Sequence, residues 1–147
     1  MSDPTLIGYL KGEHSNRKVF KFISSKMADQ GKASHNNWAS AYIADDGCRC
    51  PIGFLLSKKE IEVIRYELAF LTYSDSKGPE TFEKAMTYIL PDMLGLFSEY
   101  NISVHQTAFL QDLQMAHDTS LLFNKKAPAR FMPSFNRYME VIKKRHV

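Results

Sequence analysis

Asp45-Asp46-Gly47-Cys48-Arg49-Cys50-Pro51-Ile52-Gly53-Phe54-Leu55-Leu56-Ser57-Lys58-Lys59-Glu60 combines a turn, a returning strand and two helix-start signals. Asp45-Asp46-Gly47 is a turn signal. Cys48-Arg49-Cys50 alternates as a strand returning from that turn would, opposite the small and aromatic residues of Trp38 to Ala44, which predicts a short hairpin near residues 38–50. Pro51 suits the first position of a helix, where its missing N–H is not needed. Ser57 and Glu60 have capping-box spacing, so a longer helix is predicted from Lys58.

Working outward, helical patterns surround this hairpin. Ser15 can cap a helix over about 17–30, with Phe20, Ile23 and Met27 on one side and Gly31 as its stop. The helix from Lys58 has Ile61, Ile64, Leu68 and Leu71 on one face and Val63, Tyr66 and Phe70 on another, so it is expected to be central and the most buried. Gly78-Pro79 opens a further helix with the stripe Phe82, Ala85, Met86 and Ile89, which Pro91 breaks or restarts into 92–100. Ser103 and Gln106 form a second capping-box pair before a helix ending near Asp118. A last helix near 133–144 carries Phe135, Tyr138, Met139 and Ile142. The expected fold is mainly α, about five to six helices with one short β-hairpin, in a single compact domain over 1–147. Residues 1–15 read as an N-terminal extension and 120–147 as a basic C-terminal region.

Composition agrees with that fold class. The 147 residues are 44% hydrophobic and 24% charged, with 7 Gly, 6 Pro and 2 Cys, which excludes collagen-like, disordered and disulfide-stapled chains. No apolar run is long enough to span a membrane. The N-terminal Met1-Ser2-Asp3-Pro4-Thr5-Leu6 lacks the pattern of a secretory signal, so a reducing, cytoplasmic setting is expected. Net charge is +3, unevenly placed: residues 120–147 hold Lys125, Lys126, Arg130, Arg137, Lys143, Lys144 and Arg145 against the single acid Glu140. Such a basic end can track phosphate or an acidic partner, and serves equally as a solvated face.

Two places break the pattern of plain core and plain surface. Cys50, just before a helical turn, would have its sulfur at the positive end of the helix dipole and facing free N–H groups, which predicts a lowered thiol pKa. Gly53 inside that turn would admit another backbone or a ligand. The bland alternative makes Cys50 a small buried apolar residue. On the later helix Leu110, Leu113 and His117 share a face, so the imidazole is expected to point to the core. Asp118 is turned about 100° away and should reach it only indirectly. Here the bland alternative is a core histidine bonded to a backbone carbonyl.

Asp46-Gly47-Cys48-Arg49-Cys50-Pro51-Ile52-Gly53-Phe54-Leu55-Leu56, followed later by Leu110-Gln111-Asp112-Leu113-Gln114-Met115-Ala116-His117-Asp118, resembles the signature of a family of short, functionally uncharacterised bacterial and phage proteins. That signature reads D-G-x-x-C-[AP]-[IV]-G-x-L-[IL], then a helix ending L-Q-x-x-H-D, and the resemblance spans about residues 17–118. It implies that Cys50, Gly53, His117 and Asp118 are the shared special positions. It supplies a site and no reaction. Where the family often continues with a Pro-Asp-Glu-like stretch, this chain has Ser57-Lys58-Lys59-Glu60.

Three functional classes follow. The first is a small cytoplasmic accessory protein of phage or bacterial type, a non-enzymatic binding or inhibitory module whose Cys50, Gly53, His117 and Asp118 tie the hairpin to a helix. Its contact with a protein partner, or with nucleic acid, would run through Lys125, Lys126, Arg130, Lys143, Lys144 and Arg145. The second is an enzyme with Cys50 as nucleophile, His117 as base and Asp118 as orienter, which requires sulfur and imidazole within hydrogen-bond reach. The third is a metal site from Cys48 and Cys50 with His35, His105 or His117, for which one-residue Cys spacing is a weak signal. No cofactor motif is present. All three depend on the hairpin and the His117 helix meeting in space.

Overall fold

The structure, a computed structural model, describes residues 2–73 and 93–147. Among these residues it is mainly helical with one two-stranded antiparallel sheet. The helices are α1 (Leu6–Leu10), α2 (Asn16–Gln30), α3 (Lys58–Tyr73), α4 (Val104–Phe123) and α5 (Phe131–His146), and the strands are β1 (His35–Asn36) and β2 (Ala39–Ser40). The expected helix with Phe82, Ala85, Met86 and Ile89, and the break at Pro91, lie outside the described residues.

Local chemistry sets the helix ends. Ser15 Oγ accepts the Lys18 N–H at 3.1 Å, and Gly31 closes α2 in the left-handed conformation at φ 72°. Ser57 and Glu60 exchange side-chain and backbone hydrogen bonds at 2.9 and 3.1 Å at the start of α3. Ser103 and Gln106 do the same for α4. Each pair satisfies two N–H groups that a helix start leaves without partners. α4 continues past the expected end at Asp118, because Ser120 and Leu121 are buried and Asn124 Nδ2 donates to the Ser120 carbonyl at 2.7 Å. α5 starts at Phe131, two residues before the expected Pro133, led in by a 3₁₀ turn over Pro128–Arg130.

The sheet sits earlier than the expected hairpin. β1 and β2 pair His35 with Ser40 and Asn36 with Ala39, and both turn residues have positive φ, Asn37 at 52° and Trp38 at 68°. That is the twist a two-residue hairpin requires, although a bulky residue such as Trp rarely adopts it. The His35 ring stacks on the Trp38 indole with centroids 4.7 Å apart, and Trp38 N–H donates to His35 Nδ1 at 3.0 Å. Of the expected pairing between Trp38–Ala44 and Cys48–Cys50, one bridge forms, Ile43 with Arg49, around Gly47 at φ 88°. Two features stop it growing. Gln30 takes the outward N–H and C=O of Arg49, at 2.8 and 2.9 Å, and Pro51 has no N–H to donate.

Pro51 leads into a 3₁₀ turn over Ile52–Leu55, which Arg49 staples by donating to the Gly53 and Leu56 carbonyls at 3.0 and 2.7 Å. The core joins Leu6, Ile23, Met27, Ile52, Ile61, Phe109, Leu110, Leu113 and Phe135 in one cluster. The stretch expected as an N-terminal extension thus contributes α1 to the core, with Leu6, Tyr9 and Leu10 buried. α4 takes the centre, with Phe109, Leu110 and Leu113 wholly buried, whereas Val63 and Tyr66 on the second face of α3 are 54% and 66% exposed; the side chains of Leu68, Phe70 and Leu71 lie outside the described residues. α4 and α5 pack antiparallel, joined by Ser134 Oγ to Ser120 Oγ at 2.9 Å near one end and His146 Nε2 to Asp112 Oδ2 at 2.7 Å near the other.

Candidate functional site

The special residues of the two motifs meet. α4 presents Gln114, His117 and Asp118 toward the hairpin and the 3₁₀ turn, and all three are buried together with Ser34, Ser40 and Cys50. Ser34 N–H donates to His117 Nε2 at 2.9 Å. That nitrogen therefore carries a lone pair, so the proton of the neutral ring sits on Nδ1. Nδ1 lies 2.8 Å from Asp118 Oδ1 and donates to it. Ser40 Oγ is a more distant neighbour of Nδ1 at 3.4 Å. The ring is thus engaged at both nitrogens, across 83 positions of the chain on one side and one position on the other.

Two expectations for this histidine are corrected. Its backbone partner is an N–H, not a carbonyl, because β1 turns the Ser34 amide into the core. Asp118 does reach the ring directly, with Oδ1 2.8 Å from Nδ1. The carboxylate also accepts from Gln114 Nε2, one turn earlier, at 3.1 Å. Gln114 Oε1 accepts the Ile52 N–H at 3.4 Å, bringing the 3₁₀ turn into the same network. Asp118 Oδ2 is buried with no hydrogen-bond partner among the described residues. Leaving it so costs free energy that the rest of the network offsets.

Cys50 is wholly buried. Its sulfur accepts the Gly53 N–H at 3.4 Å, which is the cap-like position the sequence led us to expect. The pKa runs opposite to that expectation. Burial, followed by the negative charge of Asp118, pushes the thiol up to about 12, against the smaller lowering by the Gly53, Gln114 and Ile52 donors. A weak sulfur acceptor with three donors does not outweigh complete loss of water. Burial likewise pushes the Tyr42 hydroxyl well above its ordinary range, with the charges of Cys50 and Asp118 adding to it.

Gly53 is required for a reason nearer than a ligand. A Cβ there would stand 2.0 Å from the Tyr42 carbonyl oxygen, so the chain segment after β2 runs directly over the glycine, the close approach of another backbone that the sequence leads one to expect. Ser34, Gln114 and Tyr42 complete the cluster and were not singled out from the sequence. Gln114 was the findable one, being three residues before His117 and four before Asp118 on one helix face.

The other expected residues do not join this cluster. Lys126, Arg130, Lys143, Lys144 and Arg145 are exposed and Lys125 is half-buried. Arg145 lies 3.9 Å from Asp112. Cys48 is free and buried beside Asp46, and burial raises its thiol pKa before the Asp46 contact adds to it. His105 is exposed on α4. Among the described residues no three His, Cys, Asp or Glu side chains converge as a metal-ligand set. Among the same residues no helix is long and apolar enough to cross a membrane. Comparison with family models, with curated proteins and with solved structures finds no match to this chain.

Proposed function

We propose that this chain is a small cytoplasmic accessory protein of the phage or bacterial kind, a non-enzymatic module that binds a partner protein. In this reading Cys50, Gly53, His117 and Asp118 are a clasp holding the hairpin to α4, and recognition happens on the surface. The observation that carries it is the state of the two would-be catalytic groups. The Cys50 thiol has no exposure and its pKa is raised to about 12, and both His117 nitrogens are already engaged by Ser34 and Asp118. A nucleophile needs a thiolate and a base with a free lone pair. A buried hydrogen-bonded network instead specifies one arrangement of the elements it joins.

The test is alkylation of Cys50 by iodoacetamide at neutral pH, followed by peptide mass spectrometry with and without denaturant. The clasp reading predicts labelling of Cys50 only through unfolding, at a rate that rises with denaturant. Rapid labelling of the native protein would reject it in favour of the cysteine-nucleophile reading.

A further inference from the structure

α4 is apolar on more sides than its packing uses. Val104, Ala108, Met115 and Leu122 fall within about 40° of one another around the helix axis at 100° per residue. Val104, Met115 and Leu122 are 83%, 48% and 40% exposed, and Phe123 beside them is 81% exposed. Gln111 falls in the same sector between Val104 and Met115, so the apolar part of the stripe runs from Met115 to Phe123, about 12 Å. A helix apolar on its buried face needs no second apolar stripe for folding.

The neighbouring flank of α5 continues the surface. The Ser120–Ser134 and Asp112–His146 contacts fix the two helices side by side. Arg145, 3.9 Å from Asp112, marks the flank of α5 that borders the stripe. On that flank Tyr138 and Val141 are 41% and 46% exposed, and Arg137 and Lys144 are exposed next to them. The result is an apolar strip edged by cations, with Asp112 at the seam between the helices paired to His146 and near Arg145. Lone exposed apolar residues are ordinary, but a contiguous set rimmed by charge marks an interaction surface.

We infer that the α4–α5 face docks an acidic amphipathic helix of a partner protein, its apolar side on Met115, Leu122, Phe123, Tyr138 and Val141 and its carboxylates on Arg137, Lys144 and Arg145. This rests on the binding-module reading and names the class of partner. Met115 to Phe123 spans about 12 Å, two to three turns of a partner helix, and apolar anchors at helical spacing are how such a helix is read. The cationic edge selects the sign of the partner and makes its association sensitive to salt. Nucleic acid would use the cations and leave the apolar strip in water.

The experiment titrates the full chain against two labelled synthetic helical peptides of about 20 residues, by fluorescence anisotropy. Both have leucine at heptad core positions, one with glutamate and the other with lysine at the flanking positions. The glutamate peptide is expected to bind, to weaken with added salt, and to lose about tenfold or more in affinity with Met115→Glu and with R137E/K144E, while thermal unfolding of both variants stays close to wild type. The lysine peptide is expected not to bind. Absence of glutamate-peptide binding, equal binding of the two peptides, insensitivity to either variant, or displacement of the peptide by self-association of the protein in sedimentation equilibrium would each overturn the proposal. None of these outcomes touches Cys50 alkylation, so failure of the partner class is distinguishable from failure of the non-enzymatic reading.

Discussion

Gly53 and Cys50 lie in one turn and are constrained by different forces. At Gly53 the constraint is steric: the Tyr42 carbonyl oxygen occupies the place of a side chain. Gly53→Ala is expected to destabilise by about 3 kcal/mol, the upper end for overpacking where backbone must move, read as a lowered denaturation midpoint. At Cys50 the constraint is solvation. The dipole and N–H donors of a helix start, which lower a thiol pKa in a half-exposed site, are outweighed here by complete burial. Cys50→Ser puts a stronger hydrogen-bonding group where a weak one sat, and is expected to cost about 1–3 kcal/mol. A cost below about 0.5 kcal/mol in urea denaturation, the range of ordinary surface changes, would show that the sulfur is not packed as described.

The hairpin and α4 depend on each other through His117. β1 and β2 comprise two residues each, too little ladder to be stable alone, and the turn between them holds Trp38 at a strained positive φ. The contacts of Ser34 and Ser40 with His117, and of Ser40 with Gln114 at 3.5 Å, secure it from below. His117→Ala removes the acceptor for Ser34 N–H and the donor to a buried carboxylate, so a loss of about 2–4 kcal/mol is expected. Because the chain has 1 Trp, and it sits in this turn, steady-state fluorescence reads the element directly: the variant should shift Trp38 emission to the red. Ser103→Ala, by contrast, touches only the capping box of α4 and should cost about 1 kcal/mol with no change in emission. Much of this level was legible in the sequence, because caps and turn residues act within three or four positions: Ser15, Gly31, Ser57 with Glu60, and Ser103 with Gln106 all act as read. What escaped was non-local. The shift of the sheet to His35–Ser40 depends on Gln30 and Pro51 limiting the pairing of Arg49, and the exposure of Val63 and Tyr66 depends on α4 taking the centre. The meeting of the hairpin with the His117 helix was an expectation about space that spacing alone could not fix, and the thiol pKa reversed because burial is a property of the folded whole.

At the scale of the molecule, the raised pKa values of buried groups tie stability to alkaline pH. The Cys50 pKa is raised from 9.0 to about 12 in the folded state, and that of Tyr9 from 10.0 to about 12, by burial. The unfolded chain gives up these protons first, so the stabilisation is complete below about pH 9 and is lost as pH rises toward 12. Urea denaturation midpoints are expected to fall across that window, and to fall less steeply in Cys50→Ala. A midpoint that stays level up to pH 11 would mean that neither group is buried as described. Two regions of the molecule stand apart: a buried polar cluster at His117, and the α4–α5 face, where Met115, Phe123, Tyr138 and Val141 are exposed.

The central claim is that a neutral His117, protonated on Nδ1, holds the hairpin through Ser34. Nuclear magnetic resonance of the ¹⁵N-labelled protein at neutral pH reads both parts at once. The account predicts a protonated Nδ1, an unprotonated Nε2, and a scalar coupling across the hydrogen bond between the Ser34 amide nitrogen and His117 Nε2. An Nε2–H tautomer with no such coupling would contradict it.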